Sequence, residues 1–150
     1  MPIPKVYIDL CCLKRPFDER RDERVALEAE AASTLIELIE KGKIHLISSG
    51  TLVVENNRNP RKDRREVTQR ILEMHHEFSS LTNAVEARAR KIQQHGLAGV
   101  DALHLALAES AGADAFVTCD EGILRFARRQ SLAIEVKIVR PTEFLEGGLK

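Results

Sequence analysis

Four short runs of β-forming residues recur along the chain, and segments with helical spacing of apolar residues separate them. The runs are residues 5–10 (KVYIDL), 44–48 (IHLIS), 115–118 (AFVT) and 135–139 (EVKIV). Strands that alternate with helices predict a parallel sheet covered by helices on both faces. Right-handed crossovers then bring every strand's carboxyl end to one edge. The ligand site of such a sheet lies at that edge, in the crevice where the strand order reverses.

The intervening segments carry their own punctuation. Residues 14–24 (KRPFDERRDER) read as a charged loop containing Pro16. From 25 to 41, Leu27, Ala31, Leu35, Ile36 and Ile39 follow helical spacing, and Gly42 closes the helix. A short helix is predicted over 51–57, broken by Asn59-Pro60. A polar helix follows over 61–77, with Val67, Ile71, Leu72 and Met74 as its apolar side. Asn83 with Glu86 three residues on predicts a helix start, and Gly96 a stop after about His95. A more apolar helix spans 100–111, closed by Gly112, and another spans 121–130. Pro141 is expected to end the last strand.

Composition narrows the class. With 150 residues, 43% hydrophobic and 31% charged, the chain holds material for one packed domain over 1–150 rather than a disordered tail. Lys+Arg and Asp+Glu both number 23. That balance argues against binding nucleic acid by bulk charge and leaves room for a local basic groove. Aromatics at 4% argue against a base-stacking platform. No window approaches the ~18 apolar residues of a membrane span. The opening MPIPKVYIDLCCLKR lacks the order of a signal peptide, so the expected location is the cytoplasm. Cys11, Cys12 and Cys119 are odd in number and two are adjacent, which does not suit a disulfide framework. They read as buried small apolar residues, with a zinc or redox site as the minority alternative.

Four carboxylates occupy telling places. Asp9 ends the first strand, Glu55 follows the second, Asp101 lies early in the Ala-rich helix, and Asp120 directly follows the third strand. Converging on one edge, they would repel unless a cation were present. Hard oxygen ligands of this kind suit Mg²⁺ or Mn²⁺, which can activate water and steady the charge on a reacting phosphodiester. Each acid also has a structural reading: Asp120 as an N-cap, Asp101 as a complement to the positive helix end, Glu55 as a surface residue. Asp9 is hardest to explain that way, because an unpaired acid in an apolar strand is costly.

His104, three residues after Asp101, reads as a packed core histidine with a role beside the metal as the alternative. The pair His75-His76 is adjacent rather than four apart, which does not suit a zinc pair. Arg58, Arg61, Lys62, Arg64, Arg65 and Arg70 form the strongest basic cluster, opposed by only Asp63 and Glu66. The first five are candidate contacts to an RNA backbone, with a solvated helix face as the alternative. Arg125, Arg128 and Arg129 form a smaller cluster.

Three stretches, VYIDLCCLKRPFD, TLVVENNRNP and GVDALHLALAESAGADAFVTCDEGIL, resemble the PIN-domain nucleases over nearly the whole chain. The likeness is to the VapC-type branch and its relatives with a Cys-x-x-Arg-Pro-Phe-Asp stretch, here residues 12–18. The resemblance implies a three-layer α/β fold with a central parallel sheet of four or five strands. It implies that Asp9, Glu55, Asp101 and Asp120 hold Mg²⁺ or Mn²⁺, with Thr118 as the hydroxyl near the metal. Family members often carry one more acid after the position of Asp120; Glu121 is the nearest candidate and also fits a helix-start charge. The implied activity is metal-dependent RNA cleavage by a toxin that a partner antitoxin neutralises. A homodimer is expected from the resemblance and from the apolar surplus in the 25–41 and 71–107 helices.

Other classes fit less well. A phosphoacceptor receiver needs an acid pair after strand one and a Lys before the late Pro; Asp9 stands alone and Arg140 precedes Pro141. A catalytically silent interaction domain would have no need of all four acids. Neither a G-x-G-x-x-G dinucleotide fingerprint nor a P-loop is present.

Overall fold

A computed structural model describes residues 2–20, 22–129 and 132–147. Five parallel strands form one sheet in the order β3-β2-β1-β4-β5. They are β1 (Lys5–Ile8), β2 (His45–Ser49), β3 (Glu77–Ser79), β4 (Ala115–Val117) and β5 (Lys137–Val139). The helices are α1 (Leu10–Leu13), α2 (Glu23–Glu40), α3 (Gly50–Asn57), α4 (Lys62–Leu72), α5 (Asn83–Gln94), α6 (Gly99–Ser110), α7 (Glu121–Arg129) and α8 (Pro141–Leu145). The chain steps outward from β1 through β2 to β3, then crosses back to β4 and β5. With right-handed crossovers, that reversal puts α2 to α4 on one face and α5 to α7 on the other. The strand order reverses at the β1/β4 boundary.

The central strand is apolar because it is buried on both sides. Val6, Tyr7 and Ile8 are fully covered, as are Leu46 and Ile47 of β2 and all of β4. Helix α6 lies close on the sheet because Ala102, Ala106 and Ala108 present small side chains among buried leucines. Among the described residues, no helix is long and apolar enough to cross a membrane.

The expected sheet is present, with four local differences. The helix predicted over 61–77 ends at Leu72, and the chain turns into β3. That strand is three residues long at the sheet edge, with Phe78 half exposed, so it carries no alternating pattern to read. The α5 helix is capped by Thr82, whose Oγ1 accepts from the Val85 N–H at 3.2 Å, rather than by Asn83. Pro141 opens α8 instead of only ending a strand, since a ring-fixed φ suits a first helical position. Within the charged segment 14–24, residues Arg15–Phe17 form a 3₁₀ turn. Residues 21 and 130, which fall in the predicted loop and helix, lie outside the described residues.

Gly42 has φ +71° just past α2, and nothing lies within 4 Å of a Cβ built there. Only backbone conformation therefore opposes a side chain. Gly42→Ala is expected to destabilise the protein by about 1–2 kcal/mol, read as a melting temperature lower by ~2–8 °C.

Candidate metal centre

Asp9 is the first residue after β1, at the β1/β4 boundary. Its N–H donates to the Val117 carbonyl at 2.9 Å, extending the β1–β4 ladder by one residue and fixing where the carboxylate emerges. The side chain is only 7% exposed. Thr118 Oγ1 donates to Asp9 Oδ2 at 3.0 Å, and the Asp120 N–H donates to Thr118 Oγ1 at 3.0 Å. The Cys11 thiol lies 3.4 Å from the same Oδ2. Among the described residues no lysine or arginine pairs with Asp9. Burial pushes its carboxyl well above the usual range, with a further push from Cys11; the neighbouring His104 and the Thr118 hydroxyl oppose the shift.

Glu55 reaches the same place from α3, whose first turn is capped by Ser49 Oγ accepting the Leu52 N–H at 3.2 Å. His104 of α6 stands between them. Its Nδ1 is 2.6 Å from the Tyr7 hydroxyl, and its Nε2 is 3.4 Å from Glu55 Oε2. The Tyr7 hydroxyl is 2.8 Å from Ser49 Oγ. One direction satisfies every group: Ser49 Oγ–H donates to Tyr7, Tyr7 Oη–H to His104 Nδ1, and His104 Nε2–H to Glu55. Burial raises the Tyr7 phenol, keeping it a donor. The hydrogen bond from His104 lowers the Glu55 carboxyl against the cost of its burial, with Lys14 and Arg58 adding to the effect. Ligand atoms of Asp9, Glu55 and His104 all lie within 4.8 Å of one another.

Asp101 sits in the first turn of α6. Burial raises its carboxyl, and the charge of Asp120 adds to that, with a smaller contribution from Glu55. Asp120 itself is exposed and caps α7, its Oδ1 accepting the Ile123 N–H at 3.0 Å. Asp9 and Glu55 are thus brought within ligand reach of one another, while Asp101 and Asp120 lie outside that group, Asp101 coupled by charge to Asp120 and to Glu55. Asp9 and Glu55 offer hard oxygens, and among the described residues Asp9 lacks a lysine or arginine to offset its charge. That donor set fits Mg²⁺ or Mn²⁺.

Other sequence candidates have different neighbours. Glu121 is held by Arg24 and by Arg140, whose NH2 lies 2.9 Å from Oε2, in a network that includes the buried Glu28. Arg64 donates to the Phe17 carbonyl at 3.1 Å, and Arg65 to the Asn59 carbonyl at 2.8 Å. Arg65 braces the turn before α4, and Arg64 ties α4 to the Arg15–Phe17 turn. Arg61 and Lys62 are exposed near Asp63 and Glu66. Arg58 lines a cleft of about 500 Å³ with Glu55, Val54, Phe78, Leu81 and Val100.

Tyr7 and Ser49 escape sequence reasoning because both lie in strands that read as simply apolar. Tyr7 is the one tyrosine of the chain and precedes Asp9 by two residues in an apolar strand. A buried phenol needs a partner for its hydroxyl, and that was the available signal.

A family model described as PIN domain matches residues 8–129. Two solved structures share the fold, each with a TM-score of 0.57 over 91% of this chain and 98% of theirs. One is FitAcB from Neisseria gonorrhoeae, 18% identical; the other is VapBC2 from Rickettsia felis bound to a DNA fragment from their promoter, 14% identical. No curated protein matches the sequence significantly.

The raised carboxyl of Asp9 has a stability consequence. An acid whose folded pKa lies above its ordinary 3.8 stabilises the fold below that value and loses the contribution as pH rises through the folded pKa. In EDTA, Asp9→Asn is therefore expected to melt above wild type at pH 7. The gain should vanish near pH 4. Equal melting at both pH values would show that Asp9 carries no such cost.

Proposed function

The chain belongs to the PIN-domain family, and on that premise we propose that it is a divalent-metal-dependent endoribonuclease of the VapC-type branch. The observation that carries this reading is the buried Asp9 carboxylate, without a cationic side chain, within ligand reach of Glu55. Asp9, Glu55, Asp101 and Asp120 would hold Mg²⁺ or Mn²⁺. When bound, such an ion supplies a Lewis acid for the phosphodiester and lowers the pKa of the attacking water.

The chain's own residues do the positioning. Thr118 fixes one oxygen of Asp9, and by accepting the Asp120 N–H it ties the Asp9 carboxylate to the Asp120 backbone. His104 turns Glu55 toward the site and keeps it ionised. Arg58 and the exposed Arg61 and Lys62 offer charge to an RNA backbone, whereas Arg64 and Arg65 contribute from half-buried, braced positions. Thr118 and His104 act as accessory residues, and Glu121 acts through its ion pairs. The protein partners implied are a cognate antitoxin and a second copy of the chain, with the cytoplasm as the setting. The cleft rimmed by the exposed Val54, Phe78, Leu81 and Val100 lies beside Glu55, where a bound protein would also block the site.

Cleavage of a mixed RNA pool is expected with Mn²⁺ and not with EDTA. Asp9→Asn and Asp101→Asn keep shape but remove one negative ligand, a loss of ~3–4 kcal/mol of transition-state stabilisation. That slows cleavage roughly 10²–10³-fold while both variants stay folded. Variants that cleave like wild type, or wild type that cleaves equally in EDTA, would leave a non-catalytic interaction domain as the better description.

A further inference from the structure

The three cysteines are free, and the fold brings their sulfurs together. Cys11 and Cys12 are consecutive in α1, and Cys119 lies between Thr118 and Asp120 after β4. Cys12 Sγ and Cys119 Sγ are 3.2 Å apart, and all three sulfurs lie within 4.8 Å of one another. The Cys119 N–H donates to Cys11 Sγ at 3.3 Å, which holds the loop against the helix. Cys12 and Cys119 are buried. Cys11 is half-buried and lines a cleft of about 290 Å³ with Lys14, Arg15, Asp18, Asn59 and Arg64, so the cluster has an entry path.

Packing as small apolar residues accounts for a buried cysteine at 12 or at 119. It does not account for a third sulfur in reach of both, with its backbone donor already engaged. We propose that Cys11, Cys12 and Cys119 form a second metal site, for a thiophilic cation of the Zn²⁺ class, adjoining the carboxylate site where Cys11 Sγ lies 3.4 Å from Asp9 Oδ2. Sulfur and oxygen donors sort metals by softness, so the two sites select different ions although they are neighbours. Zinc–sulfur bonds of about 2.3 Å in tetrahedral array set sulfurs ~3.8 Å apart. The Cys12–Cys119 pair opens by a few tenths of an ångström to reach that spacing.

Three protein ligands leave one position for water. Each thiol releases its proton to solvent on binding, and no electrons are transferred. Three thiolates with a divalent ion carry one net negative charge. The Arg15 guanidinium lies against Cys119, and its Nε is buried without a hydrogen-bond partner. It is placed to offset that charge. This also gives a role to the Cys-x-x-Arg spacing of Cys12 and Arg15, which the carboxylate site leaves unused.

The test uses the full chain, reduced, stripped of metal and kept anaerobic, with Co²⁺ as the probe. Thiolate ligation produces an intense sulfur-to-cobalt charge-transfer absorption that carboxylate ligation does not. One equivalent is expected to develop this band, and Zn²⁺ to abolish it by displacement. Cys11→Ser, at the half-exposed position, is expected to weaken Co²⁺ binding at this site at least ~10-fold without unfolding the protein. Cys119→Ser should do the same, with its fold checked by far-ultraviolet circular dichroism. Asp101→Asn should keep the band, which separates this site from the nuclease reading. Absence of the band in the reduced wild type overturns the proposal. So does a band that survives Cys11→Ser unchanged. Formation of a Cys12–Cys119 disulfide in air by a protein that binds no Co²⁺ when reduced would assign the cluster to redox chemistry instead.

Discussion

A carboxylate at the end of the innermost strand is the constraint around which the rest of this molecule is arranged. Asp9 emerges where the strand order reverses, the one place where two neighbouring strand ends diverge and leave a crevice. Its burial costs stability, because no lysine or arginine among the described residues offsets its charge and one hydroxyl and one thiol are its side-chain contacts. A protein shaped for stability alone would place an apolar residue or a paired acid there. Asp101 carries a cost of its own, since burial and the charges of Asp120 and Glu55 raise its carboxyl. Such an arrangement becomes favourable when a cation enters it.

Much of the surrounding order holds these acids in place. Helix α3 presents Glu55, and its capping residue Ser49 begins the hydrogen-bond chain that runs through Tyr7 and His104 back to Glu55. The chain links β2, β1 and α6, so a shift of any one element disturbs the carboxylate. A polar network of this kind is stable only when each member is satisfied, and here one direction of donation satisfies all four. His104 packs in the core and also hydrogen-bonds Glu55.

The alternation of strands and helices was legible because each element carried its own period and its own stop. Gly42, Gly96 and Gly112 all adopt positive φ just past helices, as their positions implied. The β3 strand was not legible, because three residues at an edge with an exposed Phe78 hold no periodic signal. Asp9 stood out as a charge in an apolar run. Tyr7 did not, because its ring satisfies the apolar pattern while its hydroxyl acts elsewhere. The basic cluster at 58–70 read as one surface, yet Arg64 and Arg65 turn inward to backbone carbonyls. The three cysteines read mainly as small apolar residues, with a zinc or redox site as the alternative; 107 positions separate Cys12 from Cys119, and the β1–β4 pairing brings their sulfurs within contact.

On the proposed reading the carboxylate edge holds a divalent cation. Crystals of the protein soaked in Mn²⁺, with anomalous diffraction collected on the manganese edge, test this. A strong anomalous peak is expected bonded to a carboxylate oxygen of Asp9, with oxygens of Glu55, Asp101 or Asp120 completing the set directly or through water. A peak elsewhere on the surface, or a carboxylate edge that stays empty at saturating Mn²⁺ with Asp9 in the same place, would contradict it.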